Sequence, residues 1–185
     1  MNRKFIFSCL VVLFFSVIQF VHAQTASVPI SDESKLITYT AVVDIPSESK
    51  DELYHKAYTW SNTYFKNPSS VIKTKDVLNG EIVCKGKFRI NTPATKRTKV
   101  ETAAGIVQYT LNLQFKENKY RYTITNINWK HSSYYPIEKW LEKDKDTYLP
   151  VYADYLNQVD DEIKKLISSL NDSMAKPSPK SSDDW

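Results

Sequence analysis

The chain has 185 residues, with 25 Lys and Arg against 21 Asp and Glu, a formal net charge of +4 and 42% hydrophobic residues. That length suits one domain, and a chain near 150 residues buries roughly 70% of its unfolded surface, enough for a core without metal or disulfide help. Three histidines, two cysteines and three glycines leave little from which to build a metal centre or a phosphate-cradling loop.

The N-terminus is expected to direct export. Arg3 and Lys4 precede an uncharged apolar stretch over residues 5–21, and Val21-His22-Ala23 places small residues three and one before Gln24, the pattern of a cleavable signal peptide. The 17-residue apolar run falls short of the roughly 20 residues that cross a bilayer core; an uncleaved anchor is the rival reading. Cys9 lies inside that run with almost nothing before it, which rejects a lipoprotein. Removing residues 1–23 takes the bases from 25 to 23 against 21 acids, a net charge of +2. This near neutrality gives no argument for nucleic acid. Only Cys84 then remains, and one thiol cannot form an intrachain bridge in an oxidising compartment. No later run is long and apolar enough to span a membrane. The expected location is periplasmic or extracellular.

Residues 24–35 are polar, contain Pro29 and read as a linker. Residues 36–45 (LITYTAVVDI) form the first expected strand, stopped by Pro46. Ser49-Lys50-Asp51-Glu52 is a capping box, and the helix it opens runs to about Phe65 with Leu53, Ala57, Trp60, Ser61 and Tyr64 on one face. Asn67-Pro68 closes it. Residues 71–78 and 80–90 then meet across Asn79-Gly80, a dipeptide suited to a tight I′ turn. In the second of these strands Ile82, Cys84, Gly86, Phe88 and Ile90 alternate with Glu81, Val83, Lys85, Lys87 and Arg89, one face buried and the other wet. The first strand is less regular, which predicts a bulge or a sheet edge.

Residues 106–116 and 119–129 form a second hairpin across Glu117-Asn118. Pairing Lys116 with Lys119 puts Val107, Tyr109, Leu111, Leu113 and Phe115 on the same face as Tyr120, Tyr122 and Ile124, an agreement that fixes register. The opposite face, with Gln108, Thr110, Asn112, Gln114, Arg121, Thr123 and Thr125, is expected to be solvated. The last element is a helix over 149–173, whose stripe of Tyr152, Tyr155, Leu156, Val159, Ile163, Leu166, Ile167 and Leu170 must be buried by the sheet, with Asp160, Asp161, Lys164 and Lys165 on its wet side. Residues 174–185 read as a disordered tail. The expected fold is α+β, in the order β-α-β-β-β-β-α, an antiparallel sheet with one face covered by two helices, in a domain over 36–173.

The segments SKDELYHKAYTW, KTKDVLNGEIVCKGKF, YTLNLQFKENKYRYTITNI and VDDEIKKLISSL, in that order over about residues 36–172, resemble an uncharacterised family. It is a domain of unknown function with a TATA-binding-protein-like (TBP-like) fold, found in exported Bacteroidetes proteins. The resemblance implies that fold and an envelope setting in such bacteria; it brings no activity, cofactor or catalytic residue. The fold name implies nothing about DNA, since function is argued from sites.

Among candidate sites, His55, His131 and Cys84 have no ligand spacing, no serine sits in a Gly-x-Ser-x-Gly elbow, and Asp44, Asp51 and Glu52 are explained by the helix start. No metal or cofactor is expected. Cys84 alternates into the core face and reads as a buried inert thiol rather than a reactive one. Lys85, Lys87 and Arg89, continued by Lys96, Arg97 and Lys99 with no intervening acid, could bind anionic glycan or lipid headgroups. The plainer reading is a solvated strand face and loop. The connection over 130–148 is long for a linker. With Trp129 just before it, it carries His131, Tyr134, Tyr135, Trp140 and Tyr148, which could stack on a sugar or hold a peptide; the plainer reading is a lid folded onto the domain.

The expected function is a non-catalytic envelope domain that binds a partner protein or small ligand. A hydrolase with dispersed carboxylate or serine chemistry and a lipid or small-molecule carrier, with its cavity between long helix and sheet, are the alternatives. Intact mass of the exported protein tests the first step: the mature chain is expected to begin at Gln24, and residues 1–23 retained in the membrane fraction would refute it.

Overall fold

The computed structural model describes residues 27–130 and 133–177. The expected signal segment, His131 and most of the expected tail lie outside the described residues. The elements, in chain order, are β1 (Tyr39–Asp44), α1 (Lys50–Tyr64), the single turn α2 (Pro68–Val71), β2 (Ile72–Asp76), β3 (Glu81–Thr92), β4 (Thr102–Lys116), β5 (Lys119–Lys130), β6 (Tyr134–Pro136), a 3-10 helix (Ile137–Leu141) and α3 (Tyr152–Met174). The β-α-β-β-β-β-α order therefore holds, with α2, β6 and the 3-10 helix added. All strand pairs are antiparallel, in the order β1-β5-β4-β3-β2, and β6 also pairs with β5. β1 and β6 thus lie end to end along one side of β5, β1 beside residues 119–124 and β6 beside residues 128–130.

The capping box forms as the sequence predicts. The Ser49 amide donates to Glu52 Oε2 at 2.8 Å, and the Glu52 amide donates to Ser49 Oγ at 3.2 Å, satisfying two donors that a helix start leaves free. α1 buries Leu53, Tyr54, Ala57, Trp60 and Ser61. Tyr64, expected on the buried face, is instead exposed by 39% and stacks on Trp60, ring centroids 5.0 Å apart.

Lys116 pairs with Lys119 in the expected register, and Val107, Tyr109, Leu111, Leu113, Phe115, Tyr120, Tyr122 and Ile124 are all buried. β2 is an edge strand with a register shift between Ile72 and Thr74, as its irregular pattern suggests. The Asn79-Gly80 turn differs from expectation. Asp76 pairs with Glu81, so the loop has four residues rather than two. Of Asn79 and Gly80, only Gly80 has a positive φ, +62°, whereas a I′ turn needs two. The Asp76 carboxylate accepts from the Asn79 amide at 2.9 Å and its side-chain amide at 2.7 Å, a local bond that competes with the tighter turn.

α3 lays Tyr155, Leu156, Val159, Ile163, Leu166 and Leu170 into one core with α1 and the sheet. Two expectations on this helix are corrected. Met174, assigned to the tail, is its last residue and is buried. There the Lys56 ammonium, paired with Glu48 at 2.6 Å, also reaches the Met174 carbonyl at 3.4 Å. Asp160, assigned to the wet side, is only 5% exposed. It accepts from Tyr39 Oη at 3.0 Å and Lys164 Nζ at 2.6 Å, the pairing a buried carboxylate requires. Ile163→Ala is expected to cost about 2–5 kcal/mol in chemical denaturation, and Lys165→Ala at the exposed surface no more than about 0.5 kcal/mol. Equally small effects would mean that α3 does not close this core.

Candidate functional site

The aromatic residues of the 129–148 region divide between two faces of the sheet. β5 carries a bulge: Gln108 pairs with Asn128 but Thr110 with Thr125, so Asn126 and Ile127 together face Tyr109. Asn126 sits at φ +52°. The extra residue switches parity, turning Ile127 and Trp129 toward the helices where unbroken alternation from Ile124 would have turned Asn126 and Asn128 inward. Trp129 then contacts Trp140 edge-on at 5.6 Å, Tyr135 at 6.2 Å and Tyr155 at 6.1 Å, and Trp140 stacks on Tyr152 at 5.6 Å. The Trp129 indole N–H donates to the Ala104 carbonyl at 2.9 Å. A Cβ at Gly105 would sit 2.6 Å from that indole nitrogen, so only glycine admits the ring.

Trp140 is wholly buried and Trp129 and Tyr135 are partly so. These three form a packed joint between β6, the 3-10 helix and α3, the lid arrangement, and offer a ligand no open platform. The Trp140 indole N–H has no acceptor among the described residues. Tyr134 behaves differently. It pairs with Lys130 across β5 and β6, is 59% exposed and has the Lys130 ammonium 5.3 Å from its ring centroid.

The basic strip lies on the sheet face away from the helices. Lys85, Lys87 and Arg89 are all exposed and make no ion pair with a described residue. Cross-strand register joins this strip to the exposed tyrosine: Arg89 pairs with Ile106, Ile106 with Lys130, and Lys130 with Tyr134. The next rows are Lys87–Gln108–Asn128 and Lys85–Thr110–Thr125. Two candidates read separately from the sequence, the basic strip and Tyr134, are thereby one surface, and Lys130, which sequence reasoning passed over, connects them. Its place could have been found only by knowing of the bulge.

Residues 39–130 match the family model of a domain of unknown function (DUF4468) with TBP-like fold. Over those residues the chain is similar to that family. Two solved structures share the fold of this chain. One is a TBP-like protein from Parabacteroides distasonis, TM-score 0.66 and 14% identity, covering 82% of this chain and 99% of that one. The other is a DUF4468 family protein from Bacteroides ovatus, TM-score 0.65 and 17% identity, covering 85% of this chain and 93% of that one. No curated protein matches the chain.

Cys84 lies in the core, on the strand face it shares with Gly86. A Cβ at Gly86 would come within 2.2 Å of the Tyr109 ring, so this part of β3 is closed over by that side chain. Burial pushes the Cys84 thiol up to about 11, partly offset by a hydrogen bond with Ser61. An acid with a raised folded pKa adds stability that is complete below its unfolded value, near 9, and is lost as pH rises toward 11. Cys84→Ala is therefore expected to show a shallower loss of stability between pH 9 and 11 than the native chain, alongside a cavity cost of about 1 kcal/mol. Rapid native-state labelling of Cys84 by a thiol reagent would contradict the assignment.

Proposed function

We propose that this is an exported, non-catalytic envelope domain that binds a partner through the open face of its sheet. The observation that carries this reading is the asymmetry of that sheet. Both long helices pack on one face, while the other presents Lys85, Lys87 and Arg89, which make no ion pair with a described residue, in register with Lys130 and Tyr134. The signal-like residues 1–23, cleaved after Ala23, support a periplasmic or extracellular setting. No helix among the described residues is long and apolar enough to cross a membrane.

The two alternatives have less to support them. A hydrolase with dispersed carboxylates needs titratable groups pushed apart by their surroundings. The carboxyls with clear shifts, Glu52 and Asp76, are both held low, by hydrogen bonds from Ser49 and Asn79 respectively. These are the signatures of a helix cap and a turn. A carrier needs space between α3 and the sheet, where Trp60, Leu113 and Leu166 are buried in one core with Phe88 packed against it.

The reading is tested by placing a photo-crosslinking residue in the native host at Thr110, on the open face, or at Ser168, on the exposed side of α3. A discrete adduct is expected from Thr110 only, and it should vanish when Lys87→Glu and Arg89→Glu are added. Adducts from Ser168 alone, or adducts from Thr110 that survive charge reversal, would sink it.

A further inference from the structure

We infer that the ligand of this face is an acidic polysaccharide, a polymer of uronate or similarly charged sugars, held across the Arg89–Ile106–Lys130–Tyr134 row. This rests on the reading of the open face as a binding surface and adds the chemistry of what binds.

Shape argues first for a polymer. The face is the pleated surface of β3, β4 and β5, with cations at fixed intervals. Alternate residues on a strand lie about 6.6–6.8 Å apart and neighbouring strands about 4.8 Å apart. Lys85, Lys87 and Arg89 thus form a line at roughly 7 Å spacing, and Lys130 stands two strands, about 10 Å, to the side of Arg89. One compact anion would meet one of these groups. A chain with a recurring negative charge meets several at once, and the separate weak contacts add through effective concentration.

The neighbouring side chains argue for sugar. Gln108 and Asn128 lie in the row of Lys87, and Thr110 and Thr125 in the row of Lys85. These amides and hydroxyls are half-buried in the sheet surface; Asn128 already donates to the Asn126 carbonyl and Thr125 bonds with Thr38, and each keeps further capacity to donate or accept as ring hydroxyls require. Tyr134 supplies an exposed ring of the kind that packs on the C–H face of a pyranose while its hydroxyl reaches water. It is held outward because its neighbour Tyr135 is turned into the aromatic joint on Trp129. A uronate unit carries a carboxylate, hydroxyls and an apolar ring face together, and this surface offers a counterpart to each.

Two other polyanions fit less well. An anionic membrane gains much of its hold from inserted apolar side chains, and in these three rows the one large apolar residue is Ile106, half-buried between Arg89 and Lys130. Single-stranded nucleic acid is held by several aromatic platforms, one per base, and these rows offer only Tyr134.

The full chain, purified without residues 1–23, is titrated with polygalacturonate at low salt, in parallel with neutral dextran, phosphatidylglycerol vesicles and oligo-dT. Polygalacturonate is expected to bind and to dissociate as salt is raised. Arg89→Glu should weaken it on the order of tenfold, Tyr134→Ala should weaken it several-fold with an unchanged salt slope, and Lys165→Glu on α3 should change nothing. These positions are exposed, so circular dichroism and melting curves should match the native chain. Vesicles or oligo-dT bound as tightly as polygalacturonate, or polygalacturonate binding that is absent or indifferent to Arg89→Glu, would overturn the inference. If polygalacturonate fails while charge-dependent crosslinks from Thr110 persist, the face remains a partner surface and only its ligand class is wrong.

Discussion

The structure depends on one constraint: a sheet covered on one side must keep the bulk of its large apolar side chains on that side, although strand geometry fixes strict alternation. β5 cannot satisfy this with an unbroken ladder. Its inward series Tyr120, Tyr122, Ile124 would continue with Asn126 and Asn128, two amides facing an apolar core, and would turn Ile127 and Trp129 to water. One bulge at Asn126–Ile127 opposite Tyr109 removes the conflict. Its local cost is a non-glycine residue at φ +52°, a conformation asparagine tolerates better than most. The later elements of the chain depend on that switch. Trp129 turns inward and nucleates the joint with Trp140, Tyr152 and Tyr155. That joint draws β6 and the 3-10 helix onto the domain, and Lys130 and Tyr134 are left facing outward in line with Arg89.

The same constraint explains what was legible in the sequence. Where alternation runs unbroken, as in β3 up to Ile90, β4 from Ile106 onward and the first half of β5, residue type alone fixes register and burial, and the pairing of Lys116 with Lys119 follows. The amphipathic stripe of α3 was legible for the same reason, since a 3.6-residue period needs no knowledge of the partner. What escaped was set by contacts remote in sequence or by local competition. Asp160 reads as a surface acid because the residue that makes its burial tolerable, Tyr39, lies 121 positions away. Asn79-Gly80 reads as a two-residue turn because the pattern takes no account of the Asp76 side chain. The joining of the basic strip to Tyr134 needed the bulge, which no period announces.

Charge is segregated along with polarity. Residues 138–162 carry eight acids against three lysines, and Asp154, Asp161 and Glu162 belong to α3 on the helical side. The strip Lys85, Lys87 and Arg89 stands on the opposite side of the sheet. Such an arrangement gives a near-neutral chain a directional field, which orients an approaching polyanion toward one face even though net charge gives no overall attraction.

Whether an unpaired basic strip signals a ligand or merely a solvated strand depends on its cost. Two unit charges 7 Å apart in water repel by about 0.6 kcal/mol, and screening at physiological salt, with a Debye length of about 8 Å, reduces that further. Three such side chains therefore destabilise the fold by little, and the strip can stand without any counter-ion to hold the structure together. Instability is then no argument for a ligand. The position of the strip within the sheet is. β2 covers the outer side of β3 only from Glu81 to Cys84, and Lys85, Lys87 and Arg89 follow on the uncovered stretch, where they also guard an open edge. Edge protection asks only for charge on that stretch; it does not ask for Lys130 two strands away, nor for Tyr134 exposed beside it. A basic row that continues across three further strands to an exposed, anchored tyrosine has the form of a recognition surface.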